Sequence, residues 1–160
     1  MAKNGIEIEG LDEIVESFAN ASSNVNRIGK SFLKQLSDYG VKQAQINILN
    51  VGAVDTNELI QGIHYDINQV SNGLESTIKP SAEADKYAAA VEYGTKPHFP
   101  PISALQGWAD RHGIPVWAVA RKIAREGTEP TYFWRQTFED LDAHVNGELP
   151  SFAEELARWL

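Results

Sequence analysis

Ile28-Gly29-Lys30-Ser31-Phe32-Leu33-Lys34-Gln35-Leu36-Ser37-Asp38-Tyr39-Gly40-Val41-Lys42-Gln43-Ala44-Gln45-Ile46-Asn47-Ile48 carries the clearest periodicity in the 160-residue chain. Ile28, Phe32, Leu36, Gly40, Ala44 and Ile48 recur every fourth residue, and Val25, Tyr39 and Val41 widen the stripe. That spacing puts one apolar face on a long amphipathic helix. Gly40 and Ala44 keep the face low enough for another element to approach closely. Ser22 or Ser23 is placed to cap the N-terminus. Val51-Gly52-Ala53-Val54-Asp55-Thr56 reads as a loop, so the helix is expected to end near Asn50.

Working outward, the next segment reads as a hairpin. Ile63, Tyr65 and Ile67 point one way and His64, Asp66 and Asn68 the other. Asn72-Gly73 is the strongest short turn signal. Leu74, Ser76 and Ile78 alternate with Glu75, Thr77 and Lys79 until Pro80 ends the strand. A lone hairpin is marginal in water, so its Ile63/Tyr65/Ile67 face is expected to pack on the Ile28–Ile48 stripe. Upstream, Gly5-Ile6-Glu7-Ile8-Glu9-Gly10 alternates like a short strand. Leu11, Ile14, Val15 and Phe18 then follow at helical spacing.

Downstream, Asp85–Tyr93 predicts a helix broken by Gly94, and Lys96–Pro101 a stiff extended linker. Ser103-Ala104-Leu105-Gln106 has the form of a capping box opening a helix that Gly113 closes. Val116–Arg125 is a second short helix. Phe133, Trp134, Phe138, Leu141 and Val145 mark a third, ended by Gly147 and Pro150. Ser151-Phe152-Ala153-Glu154 is another capping box, starting a last helix to Leu160. The expected class is α+β: a long N-terminal helix on a small antiparallel sheet, with a helical C-terminal third. Residues 1–150 read as one domain. Residues 151–160 read as an added helix with Phe152, Leu156, Trp159 and Leu160 on or near one face. Such a helix must dock either on its own domain or on a neighbour, which makes these four residues candidate assembly contacts.

Composition narrows the function classes. The chain has no cysteine, which removes disulfides and thiolate metal sites. Met1–Leu11 carries Lys3 without a following apolar run, so no secretory leader is expected. No stretch of about 18 apolar residues suggests a membrane span. The formal net charge is −8, divided as −1, −4 and −3 over residues 1–50, 51–100 and 101–160. An acidic domain is poorly suited to neutralising phosphates; on charge alone simple solubility is the favoured reading, and a conduit wall that lets DNA slide past is the other.

Catalytic chemistry needs convergent groups, and no known nucleophile or phosphate-loop motif is present. His64, His98, His112 and His144 lack the close spacing of metal ligands. Glu139, Asp140, Asp142 and the Glu154-Glu155 pair are explained by a solvated helix face. The expectation is therefore no enzyme, no cofactor and no metal. Ser103–Arg125, with its Gly113-Ile114-Pro115 turn, is similar in outline to a helix-turn-helix, and Arg121, Lys122 and Arg125 form a basic patch. The N-terminal end of the second helix, Val116-Trp117-Ala118-Val119, is apolar where a recognition helix needs polar reach. Core filling accounts for Trp108, Trp117 and Trp134.

The ordered motifs Val54-Asp55-Thr56, then Tyr87-Ala88-Ala89-Ala90-Val91-Glu92-Tyr93-Gly94-Thr95, then Tyr132-Phe133-Trp134 resemble the tail-component family of tailed double-stranded DNA bacteriophages. Members show Val-Asp-Thr-Gly after a long helix, then Tyr-Ala-x-x-Val-Glu-Phe-Gly-Thr, then a Pro-Phe-type motif opening a C-terminal helix. The opening Ile6-Glu7-Ile8-Glu9-Gly10-Leu11-Asp12-Glu13 and the segment Trp117–Thr128 fit the same order. The likeness covers roughly Gly5 to Leu141. Asn57 stands where the family has Gly, and Tyr93 where it has Phe. The resemblance implies a structural virion protein, assembled in the host cytoplasm, that forms a homo-oligomeric ring at the neck or tail top. Its implied partners are other copies of itself, a head-side connector or stopper, the tail tube protein and double-stranded DNA in transit, with no membrane. Asp55, Thr56, Tyr87, Glu92, Tyr93, Gly94 and Thr95 are the motif residues. A small DNA-binding regulator using Ser103–Arg125 is the alternative, and a hydrolase or transferase with a folding-dependent site a third.

Overall fold

In the computed structural model, which describes residues 6–7, 23–71 and 73–158, the four-residue stripe forms one helix, α1 (Ser23–Asn50). Ile28, Phe32, Leu36, Ala44 and Ile48 are all buried, while Arg27, Lys30, Lys34 and Lys42 are exposed. A short helix, α2 (Glu58–Gly62), leads into strands β2 (His64–Val70) and β3 (Gly73–Lys79). Then come α3 (Ala82–Tyr93), α4 (Ile102–His112), α5 (Val116–Glu126) and α6 (Phe133–Ala157). The fold is α+β, with the long N-terminal helix packed on a small antiparallel sheet and a helical C-terminal third. The sheet gains a third strand, β1 (Ile6–Glu7), and its order β1-β3-β2 makes β3 central. Leu11–Ala19 lies outside the described residues.

The seam between α1 and the sheet is decided by small residues. Tyr65 pairs with Ile78 and Ile67 with Ser76, so these four share the face toward α1. Ile63 is fully in the core, with Tyr65 and Ile67 half-buried at its edge. The deepest sheet residues are Ile78 and Ser76, both at 0% exposure. A Cβ on Gly40 would overlap Ile78 Cδ1 and touch Leu141, so Gly40 is where β3 and α6 both meet α1. Ser37 and Ser76 are buried hydroxyls 2.6 Å apart. Ser37 gives its proton to the Leu33 carbonyl at 2.6 Å, so Ser76 donates to Ser37 and both are satisfied.

α6 covers α1 from the other side. Asn47 Nδ2 donates to Thr137 Oγ1 and to Asp140 Oδ2, both at 3.1 Å, and Gln43 Nε2 reaches the same carboxylate at 3.0 Å. Asp140 therefore leaves the expected solvated acidic face and ties two helices. Farther along, Phe152 stacks on Phe32 with centroids 4.0 Å apart, and Leu156 joins the same cluster.

Several local expectations give way to tertiary packing. α6 runs unbroken through Gly147 and Pro150, so the boundary at residue 150 falls inside a helix and Ser151–Glu154 is not a capping box. An interior proline removes one hydrogen bond and costs about 3 kcal/mol. Burying Phe152 and Leu156 contributes roughly 1.5–3 kcal/mol each, which outweighs it. Of the two docking alternatives, Phe152 and Leu156 take the chain's own core, and they are not free assembly contacts; Trp159 and Leu160 lie outside the described residues. α4 starts at Ile102 behind Pro101 with no side-chain cap, so Ser103 sits in its first turn. Gly73 pairs with Val70 and opens β3, so it closes the hairpin turn and does not sit at its centre; Asn72 is outside the described residues. Phe138 and Trp117 are exposed at 52% and 55%, against the expectation of core positions. Each lies on its helix away from the buried stripe.

Phe152→Ala is expected to lower unfolding free energy by ~3–5 kcal/mol in urea titration. Pro150→Ala, which restores a helix hydrogen bond, is expected to raise it. A loss below ~1 kcal/mol for Phe152→Ala would place the last turns of α6 off the core.

Candidate functional site

Two neighbouring arrangements collect the motif residues. The first is a lock between helix ends. Glu92, in the last turn of α3, is 2% exposed. Its carboxylate accepts the backbone N–H of Trp134 at 2.8 Å and of Arg135 at 3.3 Å. These are orphan donors in the first turn of α6. Tyr132, the residue before that helix, supplies no side-chain cap. Glu92 does so from another helix, with its charge at the positive end of the α6 dipole. The end of α3 accepts further bonds from the same segment: the Glu92 carbonyl from Tyr132 N at 3.0 Å, and the Val91 carbonyl from Thr131 Oγ1 at 2.8 Å. Beside it, Thr95 and Thr128 exchange two backbone hydrogen bonds of 3.1 Å. Gly94 and Gly127 flank this bridge at φ 66° and 76°, and a Cβ on either would strike the opposite backbone.

The second arrangement is a cleft of about 450 Å3 between the 52–57 loop, the start of α2, α3 and α4. Asp55, Thr56 and Tyr87 line it, facing Trp108, Arg111 and His112. Asp55 Oδ1 accepts from Arg111 Nε at 2.8 Å, and its second oxygen pairs with Arg111 Nη2. This two-pronged hydrogen bond holds the Asp55 carboxyl below the usual carboxylate range. The Tyr87 hydroxyl donates to Glu58 at 3.3 Å. Burial first, then the Glu58 charge, push its pKa up to about 12. Both shifts run away from neutrality, the opposite of what proton transfer near pH 7 asks. The cleft has paired charges and an aromatic wall; the His112 ring stacks on Trp108 at 4.3 Å.

Asn57 opens α2 in the left-handed conformation, φ 62° and ψ 5°. Glycine enters that region freely, and asparagine is among the few other residues that do. The loop thus keeps a glycine-type turn at the position where the sequence departs from the resembled motif.

The fold gathers most of the motif residues but not in one place. Asp55, Thr56 and Tyr87 meet at the cleft, Glu92, Gly94 and Thr95 at the lock, and Tyr93 points to solvent. Arg111, Trp108 and Gly127 were not legible as partners. Arg111 and Asp55 are 56 residues apart, and no local pattern couples them. Among the described residues, no group of three or more His, Cys, Asp or Glu side chains is placed to hold a metal. Among the same residues, no helix is long and apolar enough to cross a membrane. Comparison with family models, with curated proteins and with solved structures finds no match to this chain.

Glu92→Ala strips two charge-assisted bonds and is expected to cost ~2–4 kcal/mol by chemical denaturation. Glu92→Gln should fall between it and the native chain. Asn57→Gly is expected to leave the melting temperature within a degree or two, whereas Asn57→Val should lower stability by ~1–2 kcal/mol. Equal effects for the Gly and Val variants would show that the left-handed turn is not what Asn57 supplies. For Asp55 the folded pKa lies below the unfolded value. Its stabilisation is therefore present above that unfolded value and is lost as pH falls through the folded one. The indole N–H signal of Trp108, followed by NMR, should shift in that acid range, and Asp55→Asn should abolish the transition.

Proposed function

We propose that this chain is a structural virion protein of a tailed bacteriophage, forming a homo-oligomeric ring at the neck or tail top between the head-side connector or stopper and the tail tube. The reading starts from the ordered motifs at Val54–Thr56, Tyr87–Thr95 and Tyr132–Trp134. The observation that carries it further is the use those residues are put to. Glu92, Gly94 and Thr95 are spent on joining helix ends, and Asp55 on an ion pair, a use that supports a scaffolding role for the motifs. A joining ring needs rigid subunits, contact surfaces and a lumen that does not grip DNA. The net charge of −8 suits the last requirement. In this reading the chain has no enzymatic role and no cofactor, and it acts in the virion after assembly in the host cytoplasm.

A second reading, a small DNA-binding regulator, draws on α4 and α5. They pack on each other across the Gly113–Pro115 turn, and α5 exposes Arg121, Lys122 and Arg125. Against it, the side chains exposed near the N-terminal end of α5 are the apolar Trp117 and Ala118. Negative-stain microscopy of the purified protein separates the two. Closed annular particles with an open centre, together with only weak, salt-sensitive duplex binding in a shift assay, are expected. A monomer that binds one duplex sequence below micromolar concentration would overturn the ring reading in favour of the regulator.

A further inference from the structure

The surface carries two aromatic patches of opposite charge on different helices. On α5, Trp117, Arg121, Lys122 and Arg125 share the exposed side. Phe99 lies against Trp117, ring centroids 6.2 Å apart, and is itself 57% exposed. Arg125 is paired with Glu126, but neither Arg121 nor Lys122 has a carboxylate partner among the described residues. Exposed tryptophan beside unpaired cations is the composition of a binding surface, because aromatics and arginine supply most interface anchors. On α6, Phe138 is exposed next to Glu139 and Asp142, and these carboxylates have no basic partner among the described residues.

We infer that the Trp117/Arg121/Lys122 face of α5 docks on the Phe138/Glu139/Asp142 face of α6 in a second copy of this chain. This deepens the proposed ring and rests on that reading for closure. Charge complementarity selects the occupant: cations with an aromatic on one helix match acids with an aromatic on another. The two patches differ, so the contact is heterologous. Each copy offers α5 to one neighbour and α6 to the next, the arrangement that yields rings when its rotation closes. Each patch is unsuited to meeting itself, since like charges would face each other.

Light scattering of the native chain and three charge-reversal variants tests it. The native protein is expected to elute as a multiple of 17.7 kDa, more weakly associated at high salt. Arg121→Glu/Lys122→Glu and Glu139→Lys/Asp142→Lys should each weaken self-association by about tenfold or more, with native circular dichroism. All four substitutions together restore opposite charges across the contact and should recover the oligomer. Trp117→Ser, which leaves charge alone, should weaken association too. A native chain that is monomeric throughout would overturn both this contact and the ring. Native oligomers that survive every reversal would overturn the contact and leave the ring standing. Loss on reversing α5 without loss on reversing α6 would also overturn it, pointing to another acidic surface as the occupant.

Discussion

The Glu92 carboxylate is the point on which the C-terminal half hangs. It lies at the end of α3, yet it satisfies the first-turn N–H groups of α6. A helix start buried without acceptors is costly, and Tyr132 brings none of its own. Fixing that start fixes the line of α6, and hence where Thr137, Leu141 and Phe152 fall along α1. The Gly94–Gly127 crossing serves the same end, holding the segment after α3 against the segment after α5.

Along α1 the packing alternates between apolar and polar solutions. Gly40 admits Ile78, Ser37 and Ser76 satisfy each other, and Asn47 binds Thr137 and Asp140. Close approach and buried polar pairs each demand a single register of the elements that meet there, because a one-residue slip would bury an unpaired group. Apolar area supplies the driving force at the ends of the helix, through Ile48 on one side and Phe32 with Phe152 on the other. The latter is strong enough to carry a helix through Pro150.

The division of labour over the surface follows. Motif residues are largely committed inward, to the lock and to the Asp55–Arg111 tie that closes one side of the cleft. What is left outward is a set of exposed aromatics and charges on α5 and on the solvent side of α6, whose other side belongs to the core.

The sequence by itself determined the elements whose signals are local. The α1 stripe, the alternation of β2 and β3, the breaks at Gly94 and Gly113, and the α+β class all follow from period and turn chemistry. It also showed the motif residues, though not what they touch. Tertiary structure decided the rest, wherever a long-range contact outweighed a local preference. Pro150 and Ser151 signal a helix end, but Phe152 against Phe32 overrides them. Phe138 and Trp117 are as apolar as any core residue, yet their helices turn them outward. Asp140 read as a surface carboxylate and Glu92 only as a motif residue, yet the first is a half-buried tie and the second a buried anchor, because amide and backbone donors from distant segments converge on them. Such pairings span 42 to 97 residues of chain, beyond the reach of any sequence window.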